Sequence, residues 1–200
     1  MRPRGCHHPA AVQRWLHTLP YNHERGGRTL RTLPRVLQHG TAHCLEAALA
    51  AATLLEPHGY PPLLLDMESA DRLDHVVFAF QQHGRWGAVG ASRDDGLWGR
   101  KPVYPSPFAL ARSYYAPYVT ERARLEAWAL ADLRDLTGCD WRASTRHVWK
   151  VERWLTRMPH RSLCTSDHHY ERLRTAYRRF RARGGHPHET PFRTHTVHWT

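Results

Sequence analysis

The chain has 200 residues, of which 41% are hydrophobic, and carries a formal net charge of +11 at pH 7. This length suffices for one globular domain with a hydrophobic core, and no run of eighteen apolar residues is present to predict a membrane-spanning helix. The N-terminus has no apolar signal region and the four cysteines show no C-x-x-C spacing, so we expect a cytoplasmic protein with reduced thiols.

The positive charge is concentrated in one segment. Between Arg142 and Arg183 there are twelve arginines or lysines against three acidic residues, which accounts for about nine of the eleven net charges. The rest of the chain is nearly neutral. The sequence therefore predicts that the basic segment and any catalytic centre are different parts of the molecule.

The first third of the chain predicts helices. Residues 9–21 have apolar side chains at helical spacing, and residues 29–40 form a shorter helical segment that closes at Gly40. Residues 41–59 give the strongest helical signal, with Thr41 as the predicted N-cap and Pro57 and Gly59 as the stop. Because this helix is apolar nearly all round, we expect it to be buried.

An antiparallel meander follows. Residues 60–68, 75–80 and 86–92 read as three strands, with a turn at 81–85 between the second and the third. Residues 93–107 are rich in Gly and Pro and predict a long loop. Four further helices are predicted after this loop, at residues 108–119, 122–136, 145–158 and 166–183, with Trp128, Trp149 and Trp154 as packing anchors.

Cys44 lies in the first turn of the predicted buried helix. Free cysteine is among the most buried residue types, so a core position is one interpretation. The other is a nucleophile, because unpaired N–H groups and the helix dipole stabilise a thiolate at a helix N-terminus. The His-led strand and the Trp-led strand that follow in order favour the second interpretation.

A nucleophilic cysteine needs a nearby base. His75 begins the second predicted strand and would stand where the sheet end meets the helix, which makes it the predicted base. His43 is adjacent to Cys44 in sequence, and we set it aside because successive helical residues point about 100° apart.

The order of these elements resembles the transglutaminase-like branch of the papain-like fold, over residues 38–92. The matching pieces are the cysteine-bearing helix, the His75 strand 31 positions later and the Trp86-x-x-Val89 strand. The Cys44-Leu45-Glu46 triplet is also similar to arylamine N-acetyltransferases. The resemblance implies a Cys–His–acid site, with Gln38 and the Cys44 N–H as the oxyanion hole.

One position departs from that pattern. Gly90 stands where the family carries its acid, and glycine has no side chain to orient an imidazole. A two-residue turn at His83-Gly84 would place Ser92 opposite His75. Asp94 is the predicted orienting residue, and a weak Ser92 contact, a Cys–His dyad and an inactive site are the alternatives.

Trp98, in the loop at 93–107, is the predicted substrate-binding residue at the rim of the cleft, with a tethering tryptophan in a solvated turn as the alternative. No His or Cys cluster has a recognised ligand spacing, so we expect no metal and no cofactor. The aromatic residues of the basic segment are compatible with nucleic-acid contacts, but they also follow helical spacing, as in a stripe facing the core.

The sequence therefore predicts an α+β protein of bacterial origin with a papain-like (transglutaminase-like) core, in which a buried cysteine-bearing helix packs on an antiparallel sheet. Residues 1–140 form the core domain, 141–183 a basic helical extension packed on it, and 184–200 a flexible tail. The expected activity is acyl transfer or amide hydrolysis on a small-molecule, peptide or protein substrate, and an anionic one would suit the arginines. The alternative is a non-catalytic module that binds nucleic acid or another polyanion through Arg174, Arg178 and Arg179.

Overall fold

The computed structural model describes residue 3 and residues 5–192, which form an α+β fold with one open antiparallel sheet and helices on both of its faces. The strands are β1 (Leu63–Ser69), β2 (His75–Gln82), β3 (Arg85–Val89), β4 (Arg100–Tyr104), β5 (Leu125–Asp132) and β6 (Arg161–Ser162), in the spatial order β4-β3-β2-β1-β5-β6. The helices are α1 (Pro9–His17), α2 (Leu33–His39), α3 (Cys44–Leu55), α4 (Pro107–Ser113), α5 (Tyr115–Tyr118), α6 (Trp149–Leu155) and α7 (Asp167–Ala182).

Helix α3 is the centre of one hydrophobic layer. Its alanines and leucines are buried along nearly the whole length, and it packs against β2. The helix begins two residues later than the sequence predicted, because the N-cap is His43 and not Thr41. Gly40 ends α2 with a φ of 65°, and this left-handed turn brings the chain into the extended segment before Cys44.

The hairpin between β2 and β3 has the predicted register. His83 and Gly84 both have positive φ, as a two-residue type I′ turn requires, and Phe78 lies opposite Val89. The turn fixes the pairing of the whole hairpin, so the position of His75 at the far end of β2 follows from the residues at the turn.

Two predictions after residue 92 are wrong. Residues 122–136 were predicted to be a helix, but β5 occupies this segment and pairs with β1 on one side and β6 on the other. Its sequence is rich in helix-forming Ala and Leu, yet pairing with the exposed edge of β1 overrides that propensity. The predicted loop at 93–107 contains β4, which pairs with β3.

The basic segment packs against both sides of the sheet. Val151 and Leu155 of α6 join the layer around α3, whereas Leu163 and Leu173 join the layer on the opposite face. Of the predicted flexible tail, residues 193–200 lie outside the described residues, and the His188 carbonyl accepts a hydrogen bond from the Asp95 N–H. Within the described part of the chain, no helix combines the length and apolar character needed to cross a membrane.

Candidate active site

Cys44 is the first residue of α3 and lines a cleft of about 1470 Å³. The thiol is free and partly exposed. At the first position of a helix, the backbone N–H has no acceptor within the helix and points toward the N-terminal side, together with those of the next residues. The local field at the sulfur therefore favours a negative charge.

His75 begins β2 and is buried beside the sulfur of Cys44. Its Nε2 lies 2.8 Å from the carbonyl oxygen of Leu97, and since a carbonyl only accepts, Nε2 carries the proton of that bond. The other ring nitrogen, Nδ1, is then the one left to interact with Cys44, whose pKa His75 lowers. The structure thus brings together the predicted nucleophile and the predicted base.

His43 is a second imidazole at the same sulfur, and the sequence argument against it was wrong. That argument assumed helical geometry, but His43 is the N-cap, with an extended backbone at φ −90° and ψ 178°. Its side chain is therefore free to turn back toward Cys44, whose pKa it lowers. Its Nε2 donates to the Thr29 carbonyl at 2.9 Å. A histidine directly before a cysteine at a helix start is the sequence signal for this arrangement.

Glu46 fixes the chain segment that surrounds His43. Its carboxylate is fully buried and accepts hydrogen bonds from the Thr29 hydroxyl at 2.8 Å, the Asn22 amide at 3.0 Å and the Arg31 N–H at 3.0 Å. It also accepts from the His43 N–H at 3.2 Å, and it lies 3.7 Å from the His43 Nε2. A buried carboxylate so close to the imidazole favours the protonated form of His43.

The electrostatics of the three groups favour a thiolate. Burial acts to raise the pKa of Cys44, but the interactions with His43 and His75 outweigh it and hold the pKa at about 5, against the ordinary 9.0. Burial acts to lower the pKa of His43, yet the interaction with Cys44, the Glu46 charge and the hydrogen bond to the Thr29 carbonyl raise it to about 9. Near neutral pH the site therefore holds a thiolate beside the His43 imidazolium.

Two tyrosines border the same cleft. Burial, followed by the charge of Cys44, raises the pKa of Tyr21, so its hydroxyl keeps its proton. The pKa of Tyr118 is also raised, first by burial, and its hydroxyl donates to the Leu73 carbonyl. Tyr21 is held beside the start of α3 by a parallel bridge to Ala42. The sequence argument missed Tyr21, which no motif distinguishes.

Asp94 does not contact His75. Its carboxylate lies 2.7 Å from Nδ1 of His188 and 3.6 Å from Nε of Arg93, while the Leu97 carbonyl occupies the position of the expected orienting acid. No side-chain hydrogen bond joins Ser92 to His75 either; the Ser92 hydroxyl accepts one from the Asp94 N–H, and His75 is bonded to Leu97.

Gly90 has a packing reason to be glycine. A Cβ atom at this position would lie 2.7 Å from Cγ1 of Val77, well inside a normal contact. The Gln13 side chain, fully buried, also donates to the Gly90 carbonyl at 2.9 Å and accepts from its N–H at 3.0 Å. A side chain at position 90 would therefore force Val77 to shift.

The other two predicted site residues lie away from the sulfur. Gln38 is exposed on α2, and Trp98 packs beside the α3 layer with its ring stacked on His17 at 4.2 Å. Neither belongs to the described residues that line the cleft. The tethering role considered as the alternative for Trp98 is the one that fits its position.

The remainder of the cleft wall carries charges of both signs, with acidic residues from the 66–74 segment and arginines from the C-terminal half of the chain. Asp66 of β1, for example, lies 3.2 Å from Nε2 of His160, and both side chains are buried. Among the described residues, no group of three His, Cys, Asp or Glu side chains is arranged to hold a metal ion.

Comparison of the chain with models of known protein families finds no match, and comparison with curated protein sequences finds none either.

Proposed function

We propose that this protein is a cysteine-dependent enzyme that performs acyl transfer or amide hydrolysis, on a core of the papain-like, transglutaminase-like type. One observation carries the proposal. Cys44 stands at the start of a buried helix, on the wall of a cleft, and two imidazoles, those of His43 and His75, lower its pKa. The order of cysteine helix and antiparallel strands supports the fold type.

In the proposed reaction the Cys44 thiolate adds to the carbonyl carbon of the substrate and forms a tetrahedral intermediate. Collapse of this intermediate breaks the bond to the leaving amine or alcohol, which takes a proton from an imidazolium, and leaves a thioester on Cys44. His75 then removes the proton from water or an acceptor nucleophile, whose attack releases the acyl group.

The two histidines take different roles in this scheme. The His43 imidazolium faces the sulfur and is backed by Thr29 and Glu46, so it maintains the thiolate of the resting enzyme. His75 is fixed by the Leu97 carbonyl with one nitrogen turned to the sulfur, which is the geometry of a group that accepts and returns protons. We assign the Cys44 N–H as one donor to the intermediate's oxyanion, and Tyr21, which lines the cleft and pairs with Ala42 beside the start of α3, as the second donor in place of the exposed Gln38.

The experiment combines alkylation and acylation of Cys44. Iodoacetamide labelling from pH 4 to 10, followed by peptide mass mapping, is expected to give an apparent pKa of about 5 for Cys44. Exposed Cys164 does not line the cleft and serves as the internal reference thiol. Incubation with p-nitrophenyl acetate should then acetylate Cys44, with turnover in the native chain and little in His75→Ala.

Either of two results would remove the proposal. One is a Cys44 thiol that reacts only above pH 8, like an ordinary cysteine. The other is a reactive thiolate that never forms a thioester with the ester substrate, since nucleophilicity without acyl transfer is a property of redox cysteines.

The alternative function, polyanion binding through the basic helix, has less support. Two of the three arginines on which it depends are engaged: Arg178 with Glu121 at 2.7 Å and Arg174 with Glu171 at 3.3 Å. Arg179 lines a shallow depression on α7 that also includes Glu171. Acids so close to the arginines weaken a phosphate-binding surface.

A further inference from the structure

Arg100, the first residue of β4, is fully buried, and no ion pair among the described residues involves it. A buried arginine is ordinarily paired with a carboxylate. This one instead donates to three carbonyls: Nη1 to Trp98 at 2.5 Å and to Gly99 at 3.4 Å, and Nη2 to Gly96 at 2.6 Å. Its Cζ lies 4.0 Å from the centre of the Tyr114 ring.

Two of these three carbonyls flank, along the chain, the carbonyl that orients the His75 imidazole. Gly96 and Trp98 are the neighbours of Leu97, and their carbonyls point to Arg100, whereas the Leu97 carbonyl points to His75. Each peptide is planar, so holding the peptide groups on both sides leaves the group between them little freedom to rotate. The guanidinium therefore determines the direction of the Leu97 carbonyl.

A second path links the same groups through Tyr114. Its ring contacts both groups, with its centre 4.0 Å from Cζ of Arg100 and 5.6 Å from the centre of the His75 ring. The Tyr114 hydroxyl also donates to the Trp98 carbonyl at 3.2 Å. Because Tyr114 has no solvent exposure, its ring is a fixed neighbour of the imidazole, inclined to it at 57°.

We propose that Arg100 is the positioning residue of His75, through the Leu97 carbonyl and the Tyr114 ring. In this role it replaces the missing acid of the Cys–His pair with a neutral carbonyl held in place by a buried cation. The proposal rests on the proposed function in so far as it assigns His75 to proton transfer at Cys44. Its structural content, the dependence of the His75 hydrogen bond on Arg100, is measurable without any substrate.

The experiment is ¹H–¹⁵N NMR of the histidine rings in the full chain, with the His75 signals assigned by their loss in His75→Gln. The Nε2–H proton of His75 is bonded to a carbonyl and buried, so we expect a ring N–H resonance that exchanges slowly with water. In Arg100→Met, which keeps a long side chain without donors, this resonance should disappear. Alkylation of Cys44 by iodoacetamide at pH 6 should also slow about fivefold, because a misoriented His75 no longer stabilises the thiolate.

The matched control is Arg112→Met. Arg112 is exposed and its guanidinium lies over the Phe108 ring at 5.7 Å, so the same substitution leaves the loop before β4 untouched. This variant should keep the His75 resonance and the alkylation profile. If Arg100→Met does not fold, Arg100→Lys provides the test, since it retains the charge and most of the volume but cannot bond to three carbonyls.

A folded Arg100 variant with the wild-type His75 N–H resonance and the wild-type alkylation profile overturns the inference. A lower melting temperature alone does not support the inference, because replacement of any buried arginine would lower the stability. If the resonance depends on Arg100 while Cys44 never accepts an acetyl group, the inference stands and the proposed function falls. The two failures are therefore distinguishable.

Discussion

Replacement of His43 by alanine tests whether the residue before the cysteine maintains the thiolate. The pKa of Cys44 lies at about 5 instead of 9.0, which corresponds to about 5 kcal/mol in favour of the charged form. Burial opposes this shift, so the two imidazoles together contribute more than that amount. If His43 supplies half or more, His43→Ala raises the pKa of Cys44 to about 7 or above.

The native chain and His43→Ala should differ most in the ionised fraction of Cys44 at a pH between their two pKa values. At pH 6, about 90% of Cys44 is ionised with a pKa of 5 but only about 10% with a pKa of 7. The rate of alkylation at pH 6 should therefore fall about tenfold in His43→Ala and be restored at pH 9. In the native chain, acyl transfer should show a bell-shaped profile, rising through about pH 5 as Cys44 ionises and falling through about pH 9 as His43 loses its proton.

The assay is the pH dependence of iodoacetamide labelling at Cys44, compared among the native chain, His43→Ala and His39→Ala. His39 is an exposed histidine of α2 that does not line the cleft, so its variant is the matched control. An apparent pKa that stays near 5 in His43→Ala would refute the reasoning. His75 alone would then account for the low pKa of Cys44.

Two further predictions concern the surroundings of the site. Gly90→Asp should not create a third catalytic residue, because its Cβ would clash with Val77 at 2.7 Å. Urea unfolding should show a loss of about 2–4 kcal/mol in the free energy of unfolding, with no gain in Cys44 reactivity. The control is Gly26→Asp, whose Cβ would lie in open space and which should leave the stability unchanged. His160→Gln tests the buried contact with Asp66. The hydrogen bond to Asp66 raises the pKa of His160 above its ordinary 6.5, so its stabilisation is fully present below pH 6.5 and is lost as the pH rises through the folded-state value. The variant should be about 2 kcal/mol less stable than the native chain at pH 5.5, and unfolding curves at pH 9 that still differ as much would contradict the assignment.

The part of the fold that local signals determine was predicted well. The Ala- and Leu-rich helix α3 has Gly and Pro at its ends, and the turn at His83-Gly84 sets the register of β2 against β3. These signals were sufficient to place His75 at the sheet end near Cys44. Prediction worked where each element carried its own periodicity and its own stop signals.

The rest depends on contacts between distant segments. The helix-forming sequence of β5 becomes a strand only because β1 offers it an edge, and the shift of the α3 start from Thr41 to His43 depends on Glu46 and on a segment fifteen or more residues upstream. The partner of His75 is a main-chain carbonyl, which is present at every residue and has no signature in the sequence. Side-chain motifs alone therefore led to Asp94.

A carbonyl, and not an acid, orients His75, but the site still contains a buried negative charge. A carbonyl fixes the direction of the His75 ring but stabilises its protonated form less than a carboxylate would. The buried Glu46 carboxylate lies instead 3.7 Å from the His43 Nε2, so this charge acts on the imidazole next to the cysteine in the chain. In a Cys–His–acid site, one acid both orients the imidazole and compensates its charge. Here the Leu97 carbonyl orients His75, and the Glu46 carboxylate compensates the charge of His43. It follows that substitution of the Leu97 side chain should leave the thiolate intact, because the carbonyl that orients His75 belongs to the main chain and is kept in the variant.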